Sequence, residues 1–315
     1  MIGRNSRPLK VGLQLNPFAG ITGPGMPRWN DLKAMAQHAE AAGFDSIWLP
    51  DHLVVDDPGA RHGVWECWSL LSSLAAVTTR VDIGSLVVCT NFRNPALLAR
   101  MADTLDEISG GRLILGLGAG WYEPEFRAFG YPFDHRVDRF EEALHIIRTL
   151  LRTGKIDFVG KYYEARECEM LSRGPRPEGP PIMIGARVDR PRALRLTAEY
   201  ADYWNGFGVN QVDRLPPILQ ALDAACAKAG RAPSTLQRTI TLLVDLPGSE
   251  ASKSSTYWLN YRSSRMPATG TSEELAELLR AFARTGIGHV QIWLDPHSLE
   301  GIERFAPVLE VLDKG

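Results

Sequence analysis

The feature that most constrains the fold of this chain is an alternation of short apolar segments with amphipathic segments, repeated eight times. The apolar segments fall at residues 11–15, 46–49, 82–88, 113–117, 181–185, 202–207, 239–245 and 289–294. Helix-forming segments follow them at residues 28–42, 65–77, 94–108, 136–151, 191–200, 215–229, 272–285 and 299–312. Nearly continuous apolar strands are typical of a parallel sheet that is buried on both faces. Eight successive strand–helix units predict a (β/α)8 TIM barrel in the α/β class, and an open doubly wound sheet is the alternative.

Two segments of the chain lie outside this alternation. A TIM barrel needs about 250 residues, whereas the chain has 315. The excess falls at about 154–179, after the helix that follows strand four, and at about 247–270, after strand seven. Long segments of this kind usually act as lids or binding loops. We therefore expect one domain over residues 1–315 with two insertions.

Composition narrows the class of partner. The formal net charge is −2, which gives no electrostatic reason to expect nucleic acid or an anionic membrane surface. The sequence holds no run of 18 apolar residues and no apolar segment near its start that would suggest a secretory signal. The four cysteines are far apart and form no C-x-x-C pair. We expect a cytoplasmic protein with free thiols, no nucleic-acid partner and no membrane attachment.

The fourth apolar segment ends in three glycines at alternate positions, Gly116, Gly118 and Gly120. Glycine lets a backbone approach a flat ligand closely, and such strand ends bind cofactors in α/β proteins. The spacing differs from the dinucleotide fingerprint G-x-G-x-x-G, and Pro124 and Pro132 argue against a compact helix after it. A nicotinamide site is therefore weakly supported, and a tight turn at the strand end is the alternative interpretation.

Chemically capable residues follow most of the predicted strands, where the site of a TIM barrel lies. They include the Asp51-His52 pair, Cys89, Trp121, Arg187 and His297. This mixture suits a planar, phosphorylated cofactor. No H-x-H pair or other cluster of ligands marks a metal site, and no G-x-S-x-G motif marks a nucleophile, so we expect neither.

Longer motifs tie these residues together. They are A-A-G-F-D-S-I-W-L-P-D-H at 41–52, E-x-W at 66–68, R-N-P-A-L-L-A at 93–99, S-G-G-R through G-W at 109–121 with Glu125-Phe126, and Y-A-D-Y-W-N at 200–205. Over nearly its whole length the chain resembles the luciferase-like flavin monooxygenase superfamily. More narrowly, it resembles the branch that uses the deazaflavin coenzyme F-420.

The resemblance implies that the ring of the cofactor lies across the barrel mouth. Asp51 and His52 would then touch its polar edge, and a bulge with a non-proline cis peptide at Leu86-Val87 would lie behind it. Cys89, the three glycines and Trp121 would flank the ring, and the turn at 185–187 would hold the phosphate. The implied cofactor-binding set is Asp51, His52, Leu86, Val87, Cys89, Gly116, Gly118, Gly120, Trp121, Gly185, Ala186 and Arg187.

The chain departs from the family pattern at two places. The family usually has more glycine after position 185, where this chain has Ala186 and Arg187, so Arg187 either contacts the phosphate or faces solvent. Sugar-phosphate dehydrogenases of the family have a glutamate where this chain has Trp121, which argues against a sugar-phosphate substrate. His52 remains the candidate for proton transfer, with Asp51 beside it as the second predicted catalytic residue. A purely structural contact of His52 with the ring, and capping of the next turn by Asp51, are the alternatives.

These observations lead to one functional hypothesis and two alternatives. The hypothesis is an oxidoreductase that moves a hydride between F-420 and a small, apolar or aromatic organic molecule. The first alternative is an FMN-dependent monooxygenase, which needs oxygen and a flavin reductase partner. The second is a barrel that binds flavin without catalysis. We expect a homodimer in each case.

Overall fold

The structure is a computed structural model that describes residues 7–19, 25–57, 60–187, 189–246 and 267–314. Its strands are β1 (Lys10–Gln14), β2 (Ser46–Leu49), β3 (Val54–Asp57), β4 (Ala60–Gly63), β5 (Asp82–Ser85), β6 (Val88–Cys89), β7 (Leu113–Gly118), β8 (Lys155–Val159), β9 (Glu164–Glu169), β10 (Ile182–Gly185), β11 (Tyr203–Phe207), β12 (Gln237–Asp245) and β13 (His289–Asp295). Its helices are α1 (Trp29–Ala42), α2 (Cys67–Val77), α3 (Pro95–Ser109), α4 (Glu123–Phe129), α5 (Arg136–Thr153), α6 (Pro191–Tyr200), α7 (Leu215–Lys228), α8 (Ser272–Arg284) and α9 (Leu299–Asp313).

Parallel pairing closes the main sheet into a barrel. Its strands follow the order β1, β2, β5, β7, β10, β11, β12 and β13, and β13 pairs back onto β1. The short strand β6 continues the position of β5, because β7 pairs first with Ile83 and Gly84 and then with Val88 and Cys89. Eight strand positions, with helices between them, confirm the TIM barrel over the residues that the structure describes.

The third barrel strand is interrupted where the resemblance placed a bulge. The sequence predicted one strand over 82–88, whereas the structure has β5 and β6 with a break at Leu86-Val87. The peptide bond between Leu86 and Val87 is cis, as the resemblance implied.

The helix ends follow local sequence signals. The side chain of Asn94 accepts hydrogen bonds from the first-turn amides of α3, which begins with Pro95, and Gly110 ends the helix in the left-handed conformation. Thr271 and Glu274 form the predicted capping box at the start of α8. These signals allow the amphipathic helices to be placed from sequence alone.

The prediction that no compact helix follows Gly120 was wrong. Helix α4 begins at Glu123, with Pro124 in its first turn. Proline is tolerated there because the first-turn amides need no partner within the helix. The antiparallel hairpin of β3 and β4, which follows β2, was not predicted from the sequence.

The two insertions differ in what the structure describes. The first contains an antiparallel hairpin of β8 and β9, whose turn is held because Glu142 of α5 accepts bonds from the amides of Lys161, Tyr162 and Tyr163. It is therefore ordered against α5 rather than a long loop. Residues 247–266 of the second insertion lie outside the described residues. Among the described helices, none has both the length and the apolar character to cross a bilayer.

Candidate active site

The carboxylate of Asp51 lies at the end of β2 and is completely buried. Its Oδ2 atom accepts a 2.9 Å bond from the amide of Cys89, and the guanidinium of Arg93 donates bonds of 2.6 and 3.0 Å to its two oxygens. Arg93 also donates a 2.6 Å bond to Glu66, the N-cap of α2. Burial opposes the charge on Arg93, but the carboxylates of Asp51 and Glu66 outweigh it and raise the pKa of Arg93 above its usual value.

These bonds give Asp51 a positioning role. Its carboxylate joins the end of β2 to β6 and to the segment that leads into α3, instead of capping the turn that follows β2. Such a buried, doubly bonded ion pair fixes the geometry of both strand ends. Direct contact of Asp51 with a cofactor, and a catalytic role for it, stay predictions.

His52, the next residue, forms a dyad with a buried carboxylate of α4. Its Nδ1 atom lies 2.8 Å from Oε1 of Glu125, and the side chain of Glu125 is 3% exposed. The other oxygen of Glu125 accepts hydrogen bonds from the amides of Leu53 and Val54. Because backbone amides hold Glu125 through one oxygen, its other oxygen fixes the direction in which Nδ1 of His52 points.

The opposite nitrogen of His52, Nε2, makes no hydrogen bond to the residues that the structure describes. The ring lies edge-on to Phe18 at 5.9 Å and to Trp121 at 6.0 Å between centroids. Trp121 is 62% exposed, so the indole borders the mouth instead of the core. The arrangement presents one nitrogen of a fixed imidazole between two aromatic side chains.

The three alternate glycines at the end of β7 and just beyond it have a packing reason. A Cβ atom would lie 1.9 Å from the carbonyl oxygen of Ser85 at Gly116, and 2.8 Å from Val87 at Gly118. At Gly120 it would lie 2.6 Å from the sulfur of Cys89. Each glycine therefore faces an alternate residue of the third barrel strand. Close approach of two strands thus accounts for Gly116 and Gly118, and at Gly120 the left-handed φ of 73° and the ring of Phe126 add to it. Contact of the three glycines with a cofactor stays a prediction.

Val87 is half-buried and has a glycine on each side. A Cβ atom at Gly185 would be in ordinary contact with Val87, at 3.4 and 3.6 Å, and Gly118 is the neighbour on β7. Cys89 follows on β6, where burial raises the pKa of its thiol far enough to keep it protonated. The strand ends of β6, β7 and β10 therefore form a surface with few projecting side chains.

The structure places Arg187 on the exterior. Its side chain is 78% exposed and its guanidinium donates bonds of 3.0 and 2.8 Å to Asp189. Ala186 is buried, and its amide donates to the carbonyl of Asn205 on β11. Helix α6 begins just beyond, at Pro191, and the N-cap Arg190 makes no side-chain capping bond. Of the two alternatives for Arg187, the described structure shows the solvent-facing one.

Sequence reasoning missed one residue of this site, Glu125. It lies between Pro124 and Phe126, in a segment that the prolines made look irregular. Glu125-Phe126 belongs to the motifs that carry the family resemblance, but nothing in the sequence indicated that Glu125 pairs with His52. Among the described residues, no group of three or more histidine, cysteine or acidic side chains is arranged to hold a metal ion.

The chain matches a known family model and several curated proteins. The family model, described as luciferase-like monooxygenase, matches residues 11–246. A pyrimidine monooxygenase RutA of Cronobacter sakazakii is 35% identical over 217 residues, which cover 65% of this chain and 62% of the relative. RutA of Agrobacterium fabrum is 29% identical over 334 residues, covering 91% and 90%. The chain thus spans about three fifths of the length of the first relative and most of the second.

Solved structures with the same fold include two kinds of enzyme. An F420-dependent secondary alcohol dehydrogenase, in complex with an F420-acetone adduct, superposes with a TM-score of 0.79 at 19% identity, covering 96% of this chain and 99% of the other. Monooxygenase RslO1 from Streptomyces bottropensis gives a TM-score of 0.78 at 19% identity, covering 97% and 98%. At this identity the likeness supports the fold alone.

Proposed function

Since the chain belongs to the luciferase-like monooxygenase family, we propose that it is an oxidoreductase that moves a hydride between coenzyme F-420 and a small organic substrate. The observation that carries the proposal is the His52–Glu125 dyad, because hydride transfer at an alcohol or carbonyl carbon needs a partner for the proton. The proposal covers the cofactor, the proton-transfer role of His52 and the substrate class.

The residues present fit a flat ring. Gly118 and Gly185 place no side chain against the half-buried Val87, so a planar group can lie against it on that side. His52 lies near this surface, because the buried carboxylate of the preceding residue is bonded to the amide of Cys89. A ring on Val87 would therefore have an imidazole close to its edge.

F-420 would supply a carbon centre that accepts or donates a hydride. The chain would supply the proton transfer. When an alcohol is oxidised, the carbon loses a hydride and Nε2 of His52 takes the hydroxyl proton; in the reverse direction Nε2 returns it to the carbonyl oxygen. Glu125 holds the imidazole in place and stabilises its protonated form in either direction.

The start of α6, after β10, suits the phosphate of the cofactor. The first-turn amides of α6 have no side-chain cap and can bind an anion at the positive end of the helix dipole. Arg187 lies just before this helix but is already paired with Asp189. We propose that the amides hold the phosphate and that Arg187 contributes little.

A second candidate function is an FMN-dependent monooxygenase that uses oxygen and a separate flavin reductase. The observation that favours it is the name of the curated relatives, pyrimidine monooxygenases at up to 35% identity. The buried carboxylate of Asp51 also weakens the F-420 proposal, because the resemblance placed Asp51 at the edge of that cofactor. The flat surface on Val87 accepts either ring.

Titration of the purified protein with F-420 and, separately, with FMN tests both candidates. Quenching of the eight tryptophans reports binding. We expect micromolar or tighter affinity for F-420 and much weaker binding of FMN; the reverse order supports the monooxygenase. Gly185→Val should weaken binding of the preferred cofactor by covering Val87, whereas Gly288→Val, at the other end of the barrel, should not. A third outcome is that the protein binds a cofactor but neither oxidises any alcohol with F-420 nor shows activity with reduced FMN and oxygen. That outcome would support a non-catalytic, flavin-binding barrel.

A further inference from the structure

One side of the barrel interior is lined by amides. The side-chain nitrogen of Asn205 on β11 donates to Oε1 of Gln291 at 2.8 Å and to Oγ1 of Thr239 at 3.0 Å. On the other side of β13, Nε2 of Gln14 donates to Oδ1 of Asn16 at 2.8 Å. All these side chains are buried. The interior also contains an apolar cluster of Trp48, Leu86, Ile114 and Met183.

Register places the amides on one face. Gln291 of β13 pairs with Gly12 of β1, and a Cβ atom on Gly12 would meet Ser46 and Trp48 inside the barrel. Gln14 lies two residues further along β1 and therefore points the same way. Gln14 and Asn16 thus lie toward the mouth from Gln291, at the end of the barrel where the proposed cofactor site lies.

Three atoms of these amides have no hydrogen-bond partner among the residues that the structure describes. They are Oε1 of Gln14, Nδ2 of Asn16 and Nε2 of Gln291. Buried polar groups almost always have a partner, because leaving one without a bond is costly. The cluster therefore offers one hydrogen-bond acceptor and two donors to something that enters the barrel.

The order of donors and acceptor depends on which way the paired amides of Gln14 and Asn16 are turned. Rotating both by 180° keeps their mutual bond and exchanges the residue that offers the donor. In the orientation that the structure has, Gln14 offers the acceptor and Asn16 and Gln291 offer the donors, while Gln291 accepts from Asn205.

The surroundings argue against an anionic ligand. No lysine or arginine belongs to this amide cluster, so it has no cation to pair with an anionic group. His297, whose Nε2 atom accepts a 3.0 Å bond from the amide of Asn16, is buried. Burial lowers the pKa of His297 to about 4, so the ring is neutral at pH 7.

We propose that Gln14, Asn16 and Gln291 form a subsite for the edge of a neutral cyclic imide, in which two carbonyl oxygens flank an N–H. The two donors would bond to the carbonyls and the acceptor to the N–H. Two kinds of bound molecule could present this edge: a substrate, or the flavin or deazaflavin cofactor through the dione end of its ring. The inference rests on the proposed function for the placement of the site, but it does not depend on which cofactor binds.

Uracil and 1,3-dimethyluracil are probes of this edge, because methylation removes the N–H and blocks the approach. By isothermal titration calorimetry, we expect uracil to bind the wild-type protein at least tenfold more tightly than its dimethyl form. Gln291→Met should lower the uracil affinity about tenfold, whereas Thr239→Val, a deeper member of the same network, should leave it unchanged. Asn205 keeps Thr239 as a partner in the first variant, so the fold should be retained. If Gln291→Met does not fold, the double variant Gln14→Met/Asn16→Leu, which removes both members of the other pair, takes its place.

The same titration at saturating cofactor separates the two sources. Competition between uracil and the cofactor, with weaker cofactor binding by the variant, assigns the edge to the cofactor. Simultaneous binding assigns it to the substrate. Three results would overturn the subsite: equal affinities for the two probes, no binding of either probe, or a variant that binds uracil like the wild type. Ordered water would then be the partner of these atoms. If neither cofactor binds but the probes are distinguished, the proposed function fails and the subsite stands.

Discussion

Nδ1 of His52 lies 2.8 Å from Oε1 of Glu125, although 73 residues separate them in the chain. The carboxylate is the more buried of the two partners and is fixed by backbone amides, so it orients the imidazole. The ring is thereby presented to the barrel mouth with Nε2 available. This pairing is the basis for the first two predictions.

His52→Asn should lower turnover with little effect on folding. The amide of asparagine can still donate to Glu125, but it cannot exchange a proton at the position of Nε2. General acid–base groups contribute about 10²–10⁴-fold in rate, and we expect a loss in that range with an unchanged cofactor affinity. His38→Asn, on the surface of α1, is the control. Full activity with the wild-type pH profile in His52→Asn would mean that His52 only positions the ring.

Glu125→Gln should reduce turnover while retaining the cofactor affinity. The substituted side chain has nearly the same volume and can accept from the amide of Leu53, but its neutral amide no longer stabilises a protonated His52. We expect a loss of up to about 10⁴-fold, the size of effect seen when the carboxylate behind a general-base histidine is replaced by its amide. Glu123→Gln, an exposed residue of the same helix, should behave like the wild type. Equal turnover in the two variants would contradict the dyad.

Asp51→Asn should destabilise the fold more than it affects chemistry. The substitution leaves the guanidinium of Arg93 buried without its main counter-charge, although Glu66 still accepts one of its bonds. Breaking a buried pair costs roughly 3–5 kcal/mol, and we expect about 3 kcal/mol here because of Glu66. Urea unfolding measures it, with Asp189→Asn as the exposed control. An unfolding free energy equal to that of the wild type would show that the pair does not hold the strand ends.

Gly116→Ala should be strongly destabilising. Its Cβ atom would lie 1.9 Å from the backbone carbonyl of Ser85, which cannot move without breaking the pairing of two barrel strands. We expect a loss at or above the upper end of the usual range of about 1–3 kcal/mol for overpacking. In Gly288→Ala the new atom meets only Gln237, at an ordinary 3.5 Å. If both variants unfold at the same urea concentration, close strand approach is not the reason for the glycine.

Stability should fall on acidification through two buried histidines. Burial lowers the pKa of His289 to about 3 and that of His297 to about 4, against about 6.5 in the unfolded chain. Below pH 6.5 the unfolded state therefore binds more protons, and the folded state loses about 1.4 kcal/mol per pH unit for each histidine until its folded pKa is reached. His289→Asn should be less stable at pH 7 but show a shallower dependence between pH 6 and 4. Parallel curves for the variant and the wild type would contradict this assignment.

The barrel could be predicted from sequence because its strands are buried on both faces and its helices carry clear end signals. The strand ends, and hence the position of the site, followed from the eightfold alternation. The break at Leu86-Val87 could be expected only from the family resemblance, because the mostly apolar residues around it look like one continuous strand.

Other features of the site depend on contacts between distant segments. The pairing of Glu125 with His52 could not be predicted, because nothing local to residue 125 indicates which strand end it reaches. The hairpin of β3 and β4 was missed because its residues, V-V-D-D and A-R-H-G, show no apolar alternation. Arg187 was expected at a phosphate as one of two alternatives, and its pairing with Asp189 depends on the turn geometry between them.

The facing of Gly116, Gly118 and Gly120 with Ser85, Val87 and Cys89 has a consequence for how this barrel can change. The shape of the third strand depends on a segment 31 residues further along the chain, since a side chain at Gly116 would collide with the backbone of Ser85 and one at Gly118 or Gly120 with the side chains of Val87 or Cys89. We therefore expect that neither segment can be exchanged with that of a homologous barrel by itself. The two strands have to be exchanged together, because a chimaera that takes them from different barrels would lose the surface on which the proposed ring rests.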